Sequence, residues 1–157
     1  MNVRNLPQRK KLDKRYKEKT GNGSFFVTVV SLKRKPVFGK IENGKVVLSE
    51  FGRIIEGVWL ELPNYHPQIK LGEFIFMPNH FHGIVHIREL EGKSSISIAQ
   101  VVHSFKTKST LDYHKFQKAN GVKKYEKLWQ RGYIEKWIPR GEALSRIESY
   151  IRNNPKK

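Results

Sequence analysis

Apolar and polar positions alternate along some stretches of this chain and recur with a helical period along others. In 24–32, Phe25, Val27 and Val29 fall on one side and Phe26, Thr28 and Val30 on the other. Both faces of that strand are then largely apolar, as expected for a central strand with material above and below it. Residues 37–48 read as a small hairpin turning at Asn43-Gly44, a pair suited to a type I′ turn. Ser49 is a candidate N-cap. Phe51, Ile54, Ile55, Val58, Trp59 and Leu62 then recur on one helical face, which Pro63 is expected to end. Residues 68–77 and 80–89 form two strands parted by Pro78-Asn79, and Pro78 cannot donate to a sheet ladder. Ser97 with Gln100 fits a capping box, opening a helix to roughly Lys118 with Ile98, Val101, Val102, Phe105 and Phe116 turned inward. Residues 128–139 read as a last strand with its approach. Residues 141–153 read as a short helix that buries Leu144, Ile147 and Ile151. The order β, hairpin, α, β, β, α, β, α predicts an α+β, ferredoxin-like (RRM-like) antiparallel sheet with helices on one face and a further C-terminal helix.

Charge narrows the class of partner. The chain has 157 residues, enough for one domain, and sets 31 Lys+Arg against 14 Asp+Glu for a net +17. Such a field favours a polyanion, either nucleic acid or an anionic membrane surface. No apolar run reaches the ~18 residues that span a bilayer, and no secretory signal opens the sequence. Cysteine is absent, which excludes disulfides and thiolate metal sites. A cytoplasmic nucleic-acid protein with no membrane partner is the default expectation. Residues 1–20 hold Arg4, Arg9, Lys10, Lys11, Lys14, Arg15, Lys17 and Lys19 against only Asp13 and Glu18. That segment reads as a basic flexible arm, able to lie on phosphates or simply solvated, ahead of one domain over 21–157. Lys33, Arg34, Lys106, Lys108 and Arg131 are the candidate phosphate contacts within the domain.

The chemistry concentrates in 74–88, FIFMPNHFHGIVHIR. On a strand His80 and His82 project from the same face about 7 Å apart, while Phe81 points the other way. Two imidazoles at that spacing can converge on one divalent cation and leave most of its coordination sphere open. His86 shares their face but lies about 13 Å beyond His82, too far for easy co-ligation. Ligands on an open sheet face support little packing, so their removal is expected to leave the fold intact.

The string MPNHFHGIVHI resembles the histidine motif of the HUH endonucleases, and more narrowly the REP-associated tyrosine transposases that act on single-stranded DNA. A second string, Tyr150-Ile151-Arg152-Asn153-Asn154-Pro155, is similar to that family's terminal Tyr-Ile-x-x-Asn-Pro, and Leu128–Tyr133 is similar to its tryptophan-containing strand. The resemblance implies Tyr150 as the nucleophile and Asn154, one turn on, as a third metal ligand beside His80 and His82. It implies cleavage and rejoining of hairpin-forming single-stranded DNA through a covalent 5′-phosphotyrosine. Imidazole and amide oxygen together suit Mg²⁺ or Mn²⁺. Members act as monomers or as homodimers, and many continue past the tyrosine helix, which bears on target recognition more than on chemistry. Tyr113 and Tyr133 are rival tyrosines, for which packing or base stacking is the simpler role.

Two other functions fit the same features. A non-catalytic RRM-like nucleic-acid-binding protein would combine this sheet with aromatic and basic residues. A replication initiator or relaxase would use the same site within a larger protein.

Overall fold

The computed structural model describes residues 22–139 and 141–156, so Arg9, Lys10, Lys11 and Arg15 of the basic arm lie outside the described residues. Its main sheet contains β1 (Gly23–Val30), β4 (Ile69–Met77), β5 (His80–Ile87) and β6 (Ile134–Ile138). They lie in the order β4-β5-β1-β6 and every neighbouring pair is antiparallel. This is the ferredoxin-like order. A separate hairpin, β2 (Gly39–Glu42) with β3 (Lys45–Leu48), turns at Asn43 (φ 51°) and Gly44 (φ 72°), as the turn chemistry predicts.

Helices α1 (Glu50–Tyr65) and α2 (Ile98–Ala119) cover one face of the sheet. Phe25, Val27 and Val29 of β1 and Phe81 and Val85 of β5 meet Ile55, Trp59 and Leu62 of α1 and Val101, Val102 and Phe105 of α2 there. Trp59 packs 4.4 Å, centroid to centroid, from Phe81. Gly83 permits that approach, since a Cβ would meet the Phe81 ring at 2.5 Å and Trp59 at 2.9 Å. Removing a ring of this kind costs about 3–5 kcal/mol.

The other face is covered by α3 (Glu142–Asn153), and Phe26, Ile84, Ile138 and Ile151 form a second core beneath it. β1 is apolar on both sides because it lies between these two layers.

Both helix caps match the sequence reading. Ser49 Oγ accepts from Gly52 N–H at 2.9 Å, and Ser97 forms a reciprocal capping box with Gln100. Two boundaries differ. Pro63 does not end α1, which continues to Tyr65 and closes with His66 N–H donating to Leu62 O. So near the helix end proline forfeits one hydrogen bond, a smaller loss than unpacking the buried Leu62. The stretch 128–139 is not one strand either. Trp129 pairs alone with Ser31, and Gly132 (φ 80°) turns the chain before β6 begins. Lys106 fixes that turn by donating to the carbonyls of Gln130 (3.0 Å) and Gly132 (2.5 Å).

Candidate active site

β5 carries Phe81 into the α1/α2 core and turns His80 and His82 to the opposite face, as its alternation requires. The imidazoles stand 4.7 Å apart, centroid to centroid, near perpendicular. α3 then lays Tyr150 over the same face. Its ring is 5.8 Å from that of His82 and 6.4 Å from that of Phe26. Phe26 in turn stacks on His82 at 5.2 Å. Asn154, just past the last turn of α3, is buried, and its side chain hydrogen-bonds the Tyr150 phenol. Thus His80, His82, Tyr150 and Asn154 converge on one spot of the sheet.

His82 is only 2% exposed, so it does not have the open, surface position expected from sequence. α3 and Phe26 cover it, and its loss would leave a void in the second core.

Each imidazole is held by its Nδ1. His82 Nδ1 lies 2.8 Å from Thr28 Oγ1, its register partner on β1, and His80 Nδ1 lies 2.7 Å from Asn79 Oδ1. The carbonyl-type oxygen of Asn79 can only accept, so His80 keeps its proton on Nδ1 and its lone pair on Nε2. Among the described residues, His82 Nε2 and Asn154 Nδ2 are buried with no hydrogen-bond partner. A buried polar atom without a partner is uncommon and costly. Here the unpartnered atoms belong to two of the four side chains of this site.

The electrostatics keep the rings neutral. Burial, with the Arg34 charge added, holds His80 down to about 4. Burial and the neighbouring His80 hold His82 down to about 3. Neutral imidazole is the form that binds a metal. Burial raises the Tyr150 phenol above its ordinary value, and the Asn154 side chain acts in the opposite sense. Among the described residues no cluster of three His, Cys, Asp or Glu could hold a metal. A cation here would rely on His80, His82 and the Asn154 amide, a donor set that suits a hard or borderline divalent ion.

The sequence matches the family described as "Transposase IS200 like" over residues 28–154. The chain belongs to the IS200-like transposases. A Haemophilus influenzae protein of uncharacterised role is 30% identical over 150 residues, covering 85% of this chain and 80% of its own. The fold of this transposase is similar to that of a REP-associated tyrosine transposase bound to a REP hairpin, with a TM-score of 0.59 at 18% identity over 86% of this chain and 67% of that one. It is also similar to a proposed transposase from Deinococcus radiodurans, with a TM-score of 0.55 at 13% identity over 94% and 97% of the two chains.

The remaining basic candidates separate by position. Val30 pairs with His80, and the segments holding Lys33, Arg34 and Arg131 run together just beyond that end of β1. All three are exposed. Lys106 and Lys108 belong to α2, across the sheet from Tyr150. Lys106 is committed to backbone carbonyls, and the Lys108 ammonium lies 3.8 Å over the Tyr65 ring. The structure does not bring them to the IS200-like transposase's site. Nor does it bring the rival tyrosines. Tyr113 is buried against Phe51, and Tyr133 packs on the larger core with its hydroxyl donating to Glu135. His86 bonds Ser24 Oγ at 2.6 Å, and His66 bonds Ser104 Oγ at 3.0 Å. Among the described residues no helix is long and apolar enough to cross a membrane.

Sequence reasoning missed Thr28, Asn79 and Lys136. Thr28 had a signal, as the single polar residue inside Phe25–Val30. Asn79 lies within the histidine string itself. Lys136 is exposed and registers with Phe26 on the site's face, but nothing in its local sequence marks it.

Proposed function

We propose that this IS200-like transposase cleaves and rejoins hairpin-forming single-stranded DNA through a covalent bond to Tyr150. The observation that carries this reading is the seating of Tyr150 by α3 beside His82, within the face shared by His80 and Asn154. The phenol oxygen attacks the scissile phosphorus, a new P–O bond forms to Tyr150, and the P–O3′ bond breaks. The phenol proton is lost and the departing 3′-oxygen gains one. The DNA is left with a 5′-phosphotyrosine and a free 3′-hydroxyl, and the bond energy is kept for rejoining. A phenol with an ordinary pKa near 10, raised further by burial, is a weak nucleophile at neutral pH.

His80, His82 and Asn154 are the residues that would hold a divalent ion, Mg²⁺ or Mn²⁺. When bound, such an ion supplies positive charge to the phosphate oxygens. Thr28 and Asn79 orient the two rings from behind, and Phe26 with α3 keeps water from His82. Lys33, Arg34 and Arg131, with Arg9, Lys10, Lys11 and Arg15 of the arm, follow the DNA backbone. The hairpin seen with the REP-associated relative supports DNA of that shape as substrate.

The RRM-like alternative is disfavoured by the position of α3. An RRM stacks bases on aromatic residues of its open sheet face. Here α3 occupies that face, and Phe26 is buried against His82.

Tyr150→Phe removes one oxygen and keeps the ring. Wild-type protein mixed with a labelled single strand and Mn²⁺ is expected to give a denaturant-resistant protein–DNA adduct, and Tyr150→Phe none. Tyr133→Phe and Tyr113→Phe should retain it. An adduct that survives in Tyr150→Phe would move the nucleophile elsewhere. No wild-type adduct on several hairpin substrates would favour a binding protein.

A further inference from the structure

The turn after β1 is strained where no loop chemistry calls for it. Lys33 (φ 54°, ψ 21°) and Arg34 (φ 55°) are consecutive non-glycine residues in the left-handed region. Among the described residues the only other such case is Asn43, whose type I′ turn requires it. Strain of this kind persists only when its surroundings enforce it, and it gathers at functional sites.

The enforcing contacts converge on the histidine motif. Ser31 is fully buried, and its Oγ lies within hydrogen-bond distance of both Lys35 O (2.8 Å) and Asn79 O (2.9 Å), which share its one proton. Ser31 N–H also donates to Asn79 O, at 3.0 Å. Arg34 N–H returns to Ser31 O at 3.0 Å, and Leu32 N–H is held by Leu128 O at 2.8 Å. Asn79 is the residue whose side chain fixes His80. One anchor therefore sets both the strained turn and the orientation of His80.

The side chain that results is exposed and charged, on a turn tied through Ser31 to Asn79, the neighbour and side-chain partner of His80. Among the described residues the Arg34 guanidinium has no ion-pair partner, whereas nearby Lys35 is paired with Glu126. A guanidinium so placed calls for an anion, and its planar fork matches two oxygens of one phosphate.

We infer that Arg34 binds the non-bridging oxygens of the phosphate under attack, and that the left-handed turn at Lys33 and Arg34 serves to present it there. The inference rests on Tyr150 as the nucleophile and adds a second protein group at the reacting phosphorus. While the Tyr150–phosphorus bond forms and the P–O3′ bond breaks, negative charge builds on those oxygens, and the Arg34 N–H groups donate to them. Loss of one such donor typically slows the chemical step 10²–10³-fold.

The test compares single-turnover adduct formation at saturating hairpin DNA with Mn²⁺. Arg34→Gln is expected to slow the step about 100-fold, Arg34→Lys less, and the distant exposed Lys93→Gln not at all. A merely structural role is excluded with a second substrate whose scissile phosphate is a methylphosphonate, lacking one charged oxygen. The ratio of wild-type to Arg34→Gln rates should there collapse towards one. Urea unfolding of Arg34→Gln should match wild type, since the side chain is exposed. An unchanged rate in Arg34→Gln on ordinary phosphate overturns the inference, as does an equal ratio on both substrates. A wild-type protein that forms no adduct fails the Tyr150 reading first, and the inference with it.

Discussion

Thr28 and His82 face each other across the β1–β5 ladder, with Thr28 Oγ1 2.8 Å from His82 Nδ1 in a fully buried contact. The hydroxyl holds the ring at Nδ1, and among the described residues Nε2 has no hydrogen-bond partner. Outer partners of this type commonly tune metal affinity by 10–100-fold. Thr28→Val keeps the shape and removes the hydroxyl. It should weaken Mn²⁺ binding by about that factor in calorimetry with a stem-loop DNA present, and Thr28→Ser should restore most of it. Equal affinity in Thr28→Val would mean that packing against Phe26 alone orients the ring.

His82 is a core residue as well as a candidate ligand. His82→Ala empties space between Phe26, Ile84 and Tyr150, and should cost about 2–4 kcal/mol in urea unfolding without metal. His80 is only half-buried, and His80→Ala should cost about 1 kcal/mol or less. Both variants should lose adduct formation, so the two histidines separate in stability and agree in activity. Equal stabilities would contradict the burial of His82.

The same burial sets a pH dependence in metal-free protein. The folded His80 and His82 titrate at about 4 and about 3, below an unfolded histidine near 6.5. As pH falls below 6.5 the unfolded chain takes up protons that the folded rings refuse. Stability is therefore fully present above 6.5 and declines as pH drops towards 4. From pH 7 to 5 each ring should account for roughly 1–2 kcal/mol of the loss. His66 and His86 are shifted in the same direction and contribute to the same slope. Replacing His80 and His82 together by Gln should flatten most of it, as read from urea midpoints between pH 7 and 5. A slope that the double replacement leaves intact would place the titration elsewhere.

Lys106 and the basic arm should separate in salt. Lys106→Met removes the two bonds to Gln130 and Gly132, and should destabilise the protein by about 1–3 kcal/mol while leaving the salt dependence of DNA binding unchanged. Deleting residues 1–20 should do the reverse, flattening the log–log salt slope by roughly 0.7 for each phosphate that the arm neutralises. An arm deletion with no effect on the slope would make that segment a solvated tail.

The sequence by itself determined the elements and the chemistry they carry. Its binary pattern, the Asn43-Gly44 turn and the Ser49 and Ser97 caps are local signals, each resolved within a few residues. Alternation alone placed His80 and His82 on the face opposite Phe81, and resemblance of two short strings pointed to Tyr150 and Asn154. What the tertiary structure decided depends on residues far apart in the chain. Only the β1–β5 register shows that Thr28 backs His82. Only the seating of α3 on the second face buries His82 and brings Tyr150 to it. Lys106 reads as a phosphate contact in sequence because lysines on a helix are usually solvated, and the carbonyls that take it come from a turn 24 and 26 residues later. Arg34 acquires its place from Ser31 and Asn79, through contacts 48 residues apart that no local pattern encodes. Periodicity specifies which way a side chain points from its own element. What it then meets is set by how the elements pack, because burial and desolvation are properties of the assembled layers.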